Sequence, residues 1–408
     1  MTVRAGKKER RIAVGLALSI CGVSIGGLVK VAIGINVSWI SILIILISLC
    51  ALINWHGIEN FNRVSKNTFF IYVYTVYTLL LAFMSNTGMM DGTVGLVYQL
   101  AYFLQIILLW GIDNDFNLSL FIKYAFWIFG FSTIFAFLVI NIHGFSEGIG
   151  ALLARTDDAS AVSRATTGFI AFCGFISALV YQPNSQTGKV ARITFVVMSI
   201  IVEVISSRRS VLIVLLFVIL LHFFTGPKIN RINRKRFFTA LGALVILTVA
   251  LIIIYRSNAD IRNSVNRTFT QLVNGVNTYL GRSNSDMAAS YRRRRIDTIP
   301  DEFFNQSSFV QIVFGRGYNT DWLDIPFMQA FWDLGLLGGI FFMFIQGIIP
   351  LRYALMRIDE PAIKFAQYYT LLRIVQNFSN GTPYGNFFPI VMLYTFMRIY
   401  ESQTTESE

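Results

Sequence analysis

The chain has 408 residues, 55% of them hydrophobic and only 14% charged, with a mean hydropathy of +0.59, which excludes a water-soluble globule of ordinary surface polarity. The net charge of +12 would suit nucleic acid. The basic residues, however, sit at the ends of apolar runs and in the loops between them, which argues for membrane orientation and phosphate-bearing lipids instead.

Apolar runs of about 17 to 24 residues recur along the whole chain, each long enough to cross a hydrocarbon core of roughly 30 Å as a helix. In chain order the expected spans are 12–34, 38–54, 68–84, 93–112, 119–142, 166–182, 190–206, 209–225, 237–255, 325–350, 365–378 and 386–399. The first follows the basic stretch MTVRAGKKERR, but it is too long for a signal-peptide core and further spans follow, so it reads as a retained helix. Segment 365–378 is short and holds Arg373 and Gln376, while 190–206 and 209–225 can also be read as a re-entrant pair. The expected fold is all-α, a polytopic transmembrane bundle of about twelve spans forming one domain over residues 1–408.

Short loops set the orientation. Arg4, Lys7, Lys8, Arg10 and Arg11, then Arg63 and Lys66, then GPKINRINRKR (226–236), then Arg352, Arg357 and Lys364 all fall on one side when crossings alternate. That side is expected to be the cytoplasm, with both termini on it. Two larger loops, 143–165 and 256–324, then lie outside, away from the cytoplasm. The second is too long for a simple connector. Within it Ile261, Val265, Phe269, Leu272, Val276 and Leu280 recur at helical spacing, which predicts an amphipathic helix along the membrane surface.

Cys21, Cys50 and Cys173 all lie in apolar runs, and His56, His143 and His222 are scattered, so neither a disulfide framework nor a metal site is expected. Glu203 lies inside an expected span and should face protein or pair with an arginine such as Arg208. Gly22 and Gly26 form a small-xxx-small pair suited to close helix packing. The aromatics Phe303, Phe304, Trp322, Phe331 and Trp332 suit lipid contact and interfacial anchoring.

The outer side carries Arg155, Arg164, Arg208, Arg209, Arg256, Arg262, Arg267, Arg282, Arg292, Arg293, Arg294, Arg295 and Arg316, and Lys30 is its one lysine. Any one of these can snorkel to headgroups or pair with a neighbouring acid such as Asp297, Asp301 or Glu302. As a set, the preference for a planar, always-charged fork over an ammonium points to phosphate recognition. In SYRRRRIDTIPDEFF (290–304), Arg292 and Arg295 share one helical face with Ile296 and Ile299, Arg293 and Arg294 point elsewhere, and Pro300 is expected to end or kink the helix.

The stretch VFGRGYNTDWLDIPFMQAFWDLGLLGGIFF (313–342) resembles the C-terminal signature of the O-antigen polymerase and ligase superfamily. Gly315 and Gly317 look like its Gly-x-Gly turn, Asp324 like its polar residue at the mouth of the next span, and Gly335, Leu336, Leu337 and Gly338 like its span motif. Ligases of that superfamily usually place a histidine near this mouth. The chain has no histidine beyond His222, which favours a Wzy-type polymerase.

The resemblance implies a bundle like those of other lipid-linked glycosyltransferases and a metal- and cofactor-independent reaction. A growing glycan would pass from undecaprenyl pyrophosphate to the non-reducing end of another lipid-linked repeat unit, at the periplasmic face. The implied partners are the undecaprenyl-pyrophosphate-linked oligosaccharide, membrane lipids and a chain-length regulator. Asp324, Arg292 and Arg295 are the candidate catalytic residues, and Arg155, Arg164, Arg208, Arg209, Arg256, Arg294 and Arg316 the candidate pyrophosphate contacts. Asp324 also suits an N-cap ahead of Ile325 and Pro326. Rival readings are an O-antigen ligase, a flippase for lipid-linked oligosaccharide, and a structural membrane partner. A flippase would be expected to show related halves with charges inside spans, and no internal repeat is evident.

Overall fold

The computed structural model describes residues 6–34, 39–54, 66–85, 92–144, 162–206, 209–224, 287–318, 320–321, 323–378, 381, 383–384 and 387–405, with single residues and short pieces between 256 and 283. The described secondary structure is helical, with no β-strand. The helices are α1 (Lys7–Ile33), α2 (Trp39–Leu52), α3 (Lys66–Ser85), α4 (Gly92–Trp110), α5 (Leu118–His143), α6 (Arg164–Val180), α7 (Gln186–Ser206), α8 (Arg209–Phe224), α9 (Met287–Asn305), α10 (Phe309–Phe314), α11 (Pro326–Ala354), α12 (Pro361–Asn377) and α13 (Phe388–Thr405).

Each expected span coincides with one of these helices except 237–255, which lies outside the described residues. Three of them, α1, α5 and α11, are long and apolar enough to cross a membrane. Shorter apolar helices lie at Ile40–Leu52, Asn67–Leu81, Arg164–Val180 and Ser210–His222. The described residues are thus all-helical and consistent with a membrane protein.

Small residues let the helices close on one another. A Cβ on Gly22 would lie 2.7 Å from Ile44 Cγ2, and one on Gly26 2.5 Å from Ser41 Oγ, so the α1 glycine pair is where α2 packs. Phe129 stacks on Phe365 at 5.6 Å and Phe121 meets Phe396 at 5.0 Å, joining α5 to α12 and α13. The segment expected to be the weakest span, α12, is buried along nearly its whole length. That burial explains its polar residues: Gln367 donates to the carbonyls of Tyr353 and Met356 at 3.0 and 2.9 Å, facing protein rather than lipid. Glu203 is likewise inside, 1% exposed on α7, while Arg208 lies outside the described residues.

The start of α1 and the end of α13 both meet the α4–α5 connection. Lys8 pairs with Asp113 at 2.7 Å, and Gln403 donates to the carbonyls of Asn114 and Phe116 at 3.1 Å. The helix α13 begins at the opposite end of the bundle, roughly 27 Å away for its 18 residues at about 1.5 Å each. At that far end the loop before α13 meets the start of α11, because Gly381 N–H donates to Asp324 Oδ1 at 3.4 Å.

The helix α11 is broken twice, and each break is satisfied by protein. At Gly335 (φ 69°, ψ −172°) the helical path is interrupted, which frees the carbonyl of Asp333. Gly317 N–H donates to that carbonyl at 3.0 Å. Lower down, residues Phe344–Ile348 form a π turn just ahead of Pro350. Proline cannot bond back to Gln346, and Asn377 Nδ2 covers the Gln346 carbonyl at 3.4 Å and its side-chain oxygen at 3.1 Å.

Two local expectations are corrected. Of the two outcomes expected at Pro300, a stop or a kink, the stop does not occur: α9 runs on to Asn305, because Ile299 and Phe303, 5% and 4% exposed, anchor it on both sides of the proline against Leu323 and Trp332. Asp324 does not cap α11. Ile325 takes the N-cap without a side-chain bond, Pro326 opens the helix, and the Asp324 carboxylate is turned toward α9. Phe303 and Trp332 are core residues rather than lipid anchors, whereas Phe304 is 57% exposed and Trp322 is outside the described residues. Of the residues expected to line the surface helix, Phe269 is helical and exposed, and Ile261, Val265, Leu272, Val276 and Leu280 lie outside the described residues.

Candidate functional site

The helix α9 lays its arginine face along the loop that enters α11. A three-residue spacing places Arg292 and Arg295 one above the other on the surface of α9. Asp321 and Asp324 carry the same spacing in the facing loop. Arg292 donates from both Nε and Nη2 to Asp324 Oδ2, at 3.0 and 2.6 Å. Arg295 Nη2 stands 3.5 Å from Asp321 Oδ2, and its Nε donates to the Tyr291 hydroxyl at 3.2 Å. The Tyr291 bond is the main reason the Arg295 guanidinium holds its proton even more firmly than usual. Neither ion pair is sealed off: side-chain exposures are 29% and 22% for Arg292 and Asp324, and 26% and 34% for Arg295 and Asp321.

The neighbouring arginines separate by role. Arg293 donates to the Thr278 carbonyl at 3.1 Å and stands 3.7 Å from Asp297, tying α9 to the preceding segment. Arg294 is exposed and makes no ion pair among the described residues. Arg316 stands over Trp332, its Cζ 3.6 Å from the ring centre, and donates to Ser307 Oγ at 2.7 Å, so much of its fork is committed to holding the loop.

The glycine turn is built on the break in α11. Gly315 and Gly317 have φ of 87° and 118°, a region that favours residues without a Cβ. A side chain on Gly315 would meet the carbonyl of Asp333, and one on Gly335 would lie 2.5 Å from Gly315 N, so the two backbones touch.

Beneath the turn sits Asp333, fully buried. Its Oδ1 accepts from Thr320 N–H at 3.1 Å and Thr320 Oγ1 at 2.6 Å, and its Oδ2 accepts from Gln329 Nε2 at 3.1 Å and from the Tyr384 hydroxyl. Tyr384 in turn packs against Tyr318 at 4.1 Å. One carboxylate thus gathers the entry loop, α11 and the loop before α13. Arg373, 6% exposed, completes the inner wall: a Cβ on Gly381 would lie 3.9 Å from its Nη1.

The structure therefore brings together Arg292, Arg295, Arg316, Asp324, Gly315 and Gly317 from the sequence-based set. Arg164 opens α6 and is half-buried, and Arg256 is exposed. Arg155 and Arg208 lie outside the described residues, as does the side chain of Arg209. Sequence reasoning missed Asp321, Asp333, Tyr384 and Arg373. Asp333 had a signal of the kind recognised for Glu203, a carboxylate inside an apolar run. Among the described residues no group of three or more His, Cys, Asp or Glu is placed to hold a metal ion.

No protein-family model matches this chain, and neither a curated protein nor a solved structure matches it significantly.

Proposed function

We propose that this chain is a Wzy-type polysaccharide polymerase acting at the periplasmic face of a bacterial inner membrane. It would move a growing glycan from undecaprenyl pyrophosphate to the non-reducing end of another lipid-linked repeat unit. The observation that carries this reading is the ledge of Arg292 and Arg295 facing Asp324 and Asp321 at the mouth of α11, at the end of the bundle away from both termini. Two guanidinium groups one helical turn apart can donate to the several oxygens of one diphosphate and remain charged at any relevant pH. Beside them Phe304, Phe309, Val310 and Phe314 are 57%, 77%, 63% and 59% exposed, an apolar edge suited to lipid next to a cationic head site.

In this reading the acceptor hydroxyl oxygen bonds to the anomeric carbon of the donor as the bond from that carbon to the diphosphate oxygen breaks. The diphosphate leaves with the electron pair, and Arg292 and Arg295 stabilise the charge that develops on it. The hydroxyl proton passes to a carboxylate at the mouth, for which Asp324 is the first candidate. No nucleotide sugar enters, because the lipid diphosphate is already the leaving group.

Purified protein supplied with synthetic lipid-linked repeat units tests the proposal. Formation of a ladder of products without lipid A core is the expected result. Strict dependence on lipid A core would assign the chain to glycan ligation instead.

A further inference from the structure

The carboxylate of Asp324 sits where a phosphate would. It takes two donor bonds from Arg292 at 3.0 and 2.6 Å and faces the Gly381 N–H at 3.4 Å, and the buried Arg373 guanidinium lies near that glycine, 3.9 Å from where a Cβ on it would stand. A guanidinium fork and a backbone N–H are the donors that recognise a phosphoryl oxygen, and a second guanidinium nearby adds positive charge. Asp324 is also the one described non-glycine residue at positive φ (56°), so the carboxylate is delivered to this seat by a backbone conformation that side chains usually avoid.

We propose that Asp324 is a displaceable occupant of an anion seat made by Arg292, Gly381 N–H and Arg373, and that a diphosphate takes the seat from it. The inference rests on the polymerase reading and adds a coupling to it. While no donor is bound, Arg292 holds Asp324 through Oδ2 in the position that the diphosphate would take. A diphosphate carries more charge and more acceptor oxygens than one carboxylate, and a partly exposed ion pair holds its partners weakly, so the exchange runs toward the ligand. Arrival of the donor then releases the carboxylate that the transfer step requires. The seat is thus closed by Asp324 until the lipid diphosphate is present.

The test uses the full chain purified in detergent, with farnesyl diphosphate and inorganic diphosphate as separate titrants. Asp324→Asn and Asp324→Gly both tolerate positive φ, so each removes the carboxylate without forcing the backbone, and unfolding curves serve as the control that each variant is folded. Both variants are expected to bind diphosphate about tenfold more tightly than the unmodified chain, as removal of a competing charge predicts. Adding Arg373→Gln to either should weaken that binding. Stronger retention of farnesyl diphosphate than of inorganic diphosphate identifies a lipid-borne source. Unchanged or weaker binding in both Asp324 variants, with binding still dependent on Arg292, would overturn the exchange and leave the polymerase reading standing. No diphosphate binding by any of the three proteins would overturn both.

Discussion

Gly315 and Gly335 touch through their backbones, so that a Cβ on Gly335 would stand 2.5 Å from Gly315 N. The contact seats the glycine turn in the break of α11, where the Asp333 carbonyl set free by that break accepts from Gly317 N–H at 3.0 Å. It fixes the loop that carries Asp321 and Asp324 in front of α9.

Substituting either glycine should therefore damage the fold itself. Gly315→Ala and Gly335→Ala meet backbone atoms that cannot move aside and impose a Cβ at positive φ, a cost of at least about 2 kcal/mol each. Thermal unfolding in detergent should show lowered midpoints for both. Gly27→Ala, whose Cβ would meet Thr166 at an ordinary 3.7 Å, should be neutral or slightly stabilising.

Arginine geometry gives a graded series of expected activities. Arg292→Lys should fail almost as fully as Arg292→Ala, since an ammonium cannot hold two donors in the fixed planar fork that Nε and Nη2 make. Arg295→Ala should also lose polymer at normal protein level. Arg294→Ala should retain it, because that side chain is exposed and makes no ion pair among the described residues. Product ladders from membranes of matched protein content separate the three positions.

Asp333 is expected to matter for integrity rather than chemistry. Four donors converge on its two oxygens, and an asparagine amide would turn N–H groups toward some of them. Asp333→Asn should destabilise by about 3 kcal/mol, whereas Tyr384→Phe, which removes one donor, should cost about 1 kcal/mol. Limited proteolysis within 315–325 should follow the same order.

A pH effect is expected at Glu360, ahead of α12. Burial pushes its carboxyl pKa up, outweighing a bond from Ala362 N–H, and Oε1 has no hydrogen-bond partner among the described residues. A raised carboxyl pKa means the folded state binds the proton more tightly than the unfolded one. Stability from this group is then full at low pH and declines as pH rises from the unfolded value through the folded one. Glu360→Gln should raise the unfolding midpoint at neutral pH and change it little in acid, where the carboxyl is already neutral.

The helices were legible because apolar runs of span length are their own signal, and only 237–255 falls where no comparison is possible. The shared face of Arg292 and Arg295 followed from helical spacing alone. Pro300 misled because local propensity favours a break, while Ile299 and Phe303 packing on Leu323 and Trp332 overrides it. The Asp324 cap misled for a related reason: its helix-start signal is sound, but Arg292 offers a stronger partner than the α11 N–H groups. Asp321 opposite Arg295, and Gly381 opposite Asp324, join residues far apart in the chain and leave no local trace.

The most direct measurement is the glycan banding pattern from a polymerase-deficient host that supplies matching repeat units, carrying either the unmodified gene or its Arg295→Ala form. A ladder from the first that collapses to single repeat units in the second is the expected result and assigns polymer formation to the arginine ledge at the mouth of α11. No ladder from the unmodified gene, or an undiminished ladder from Arg295→Ala at equal protein level, would contradict it.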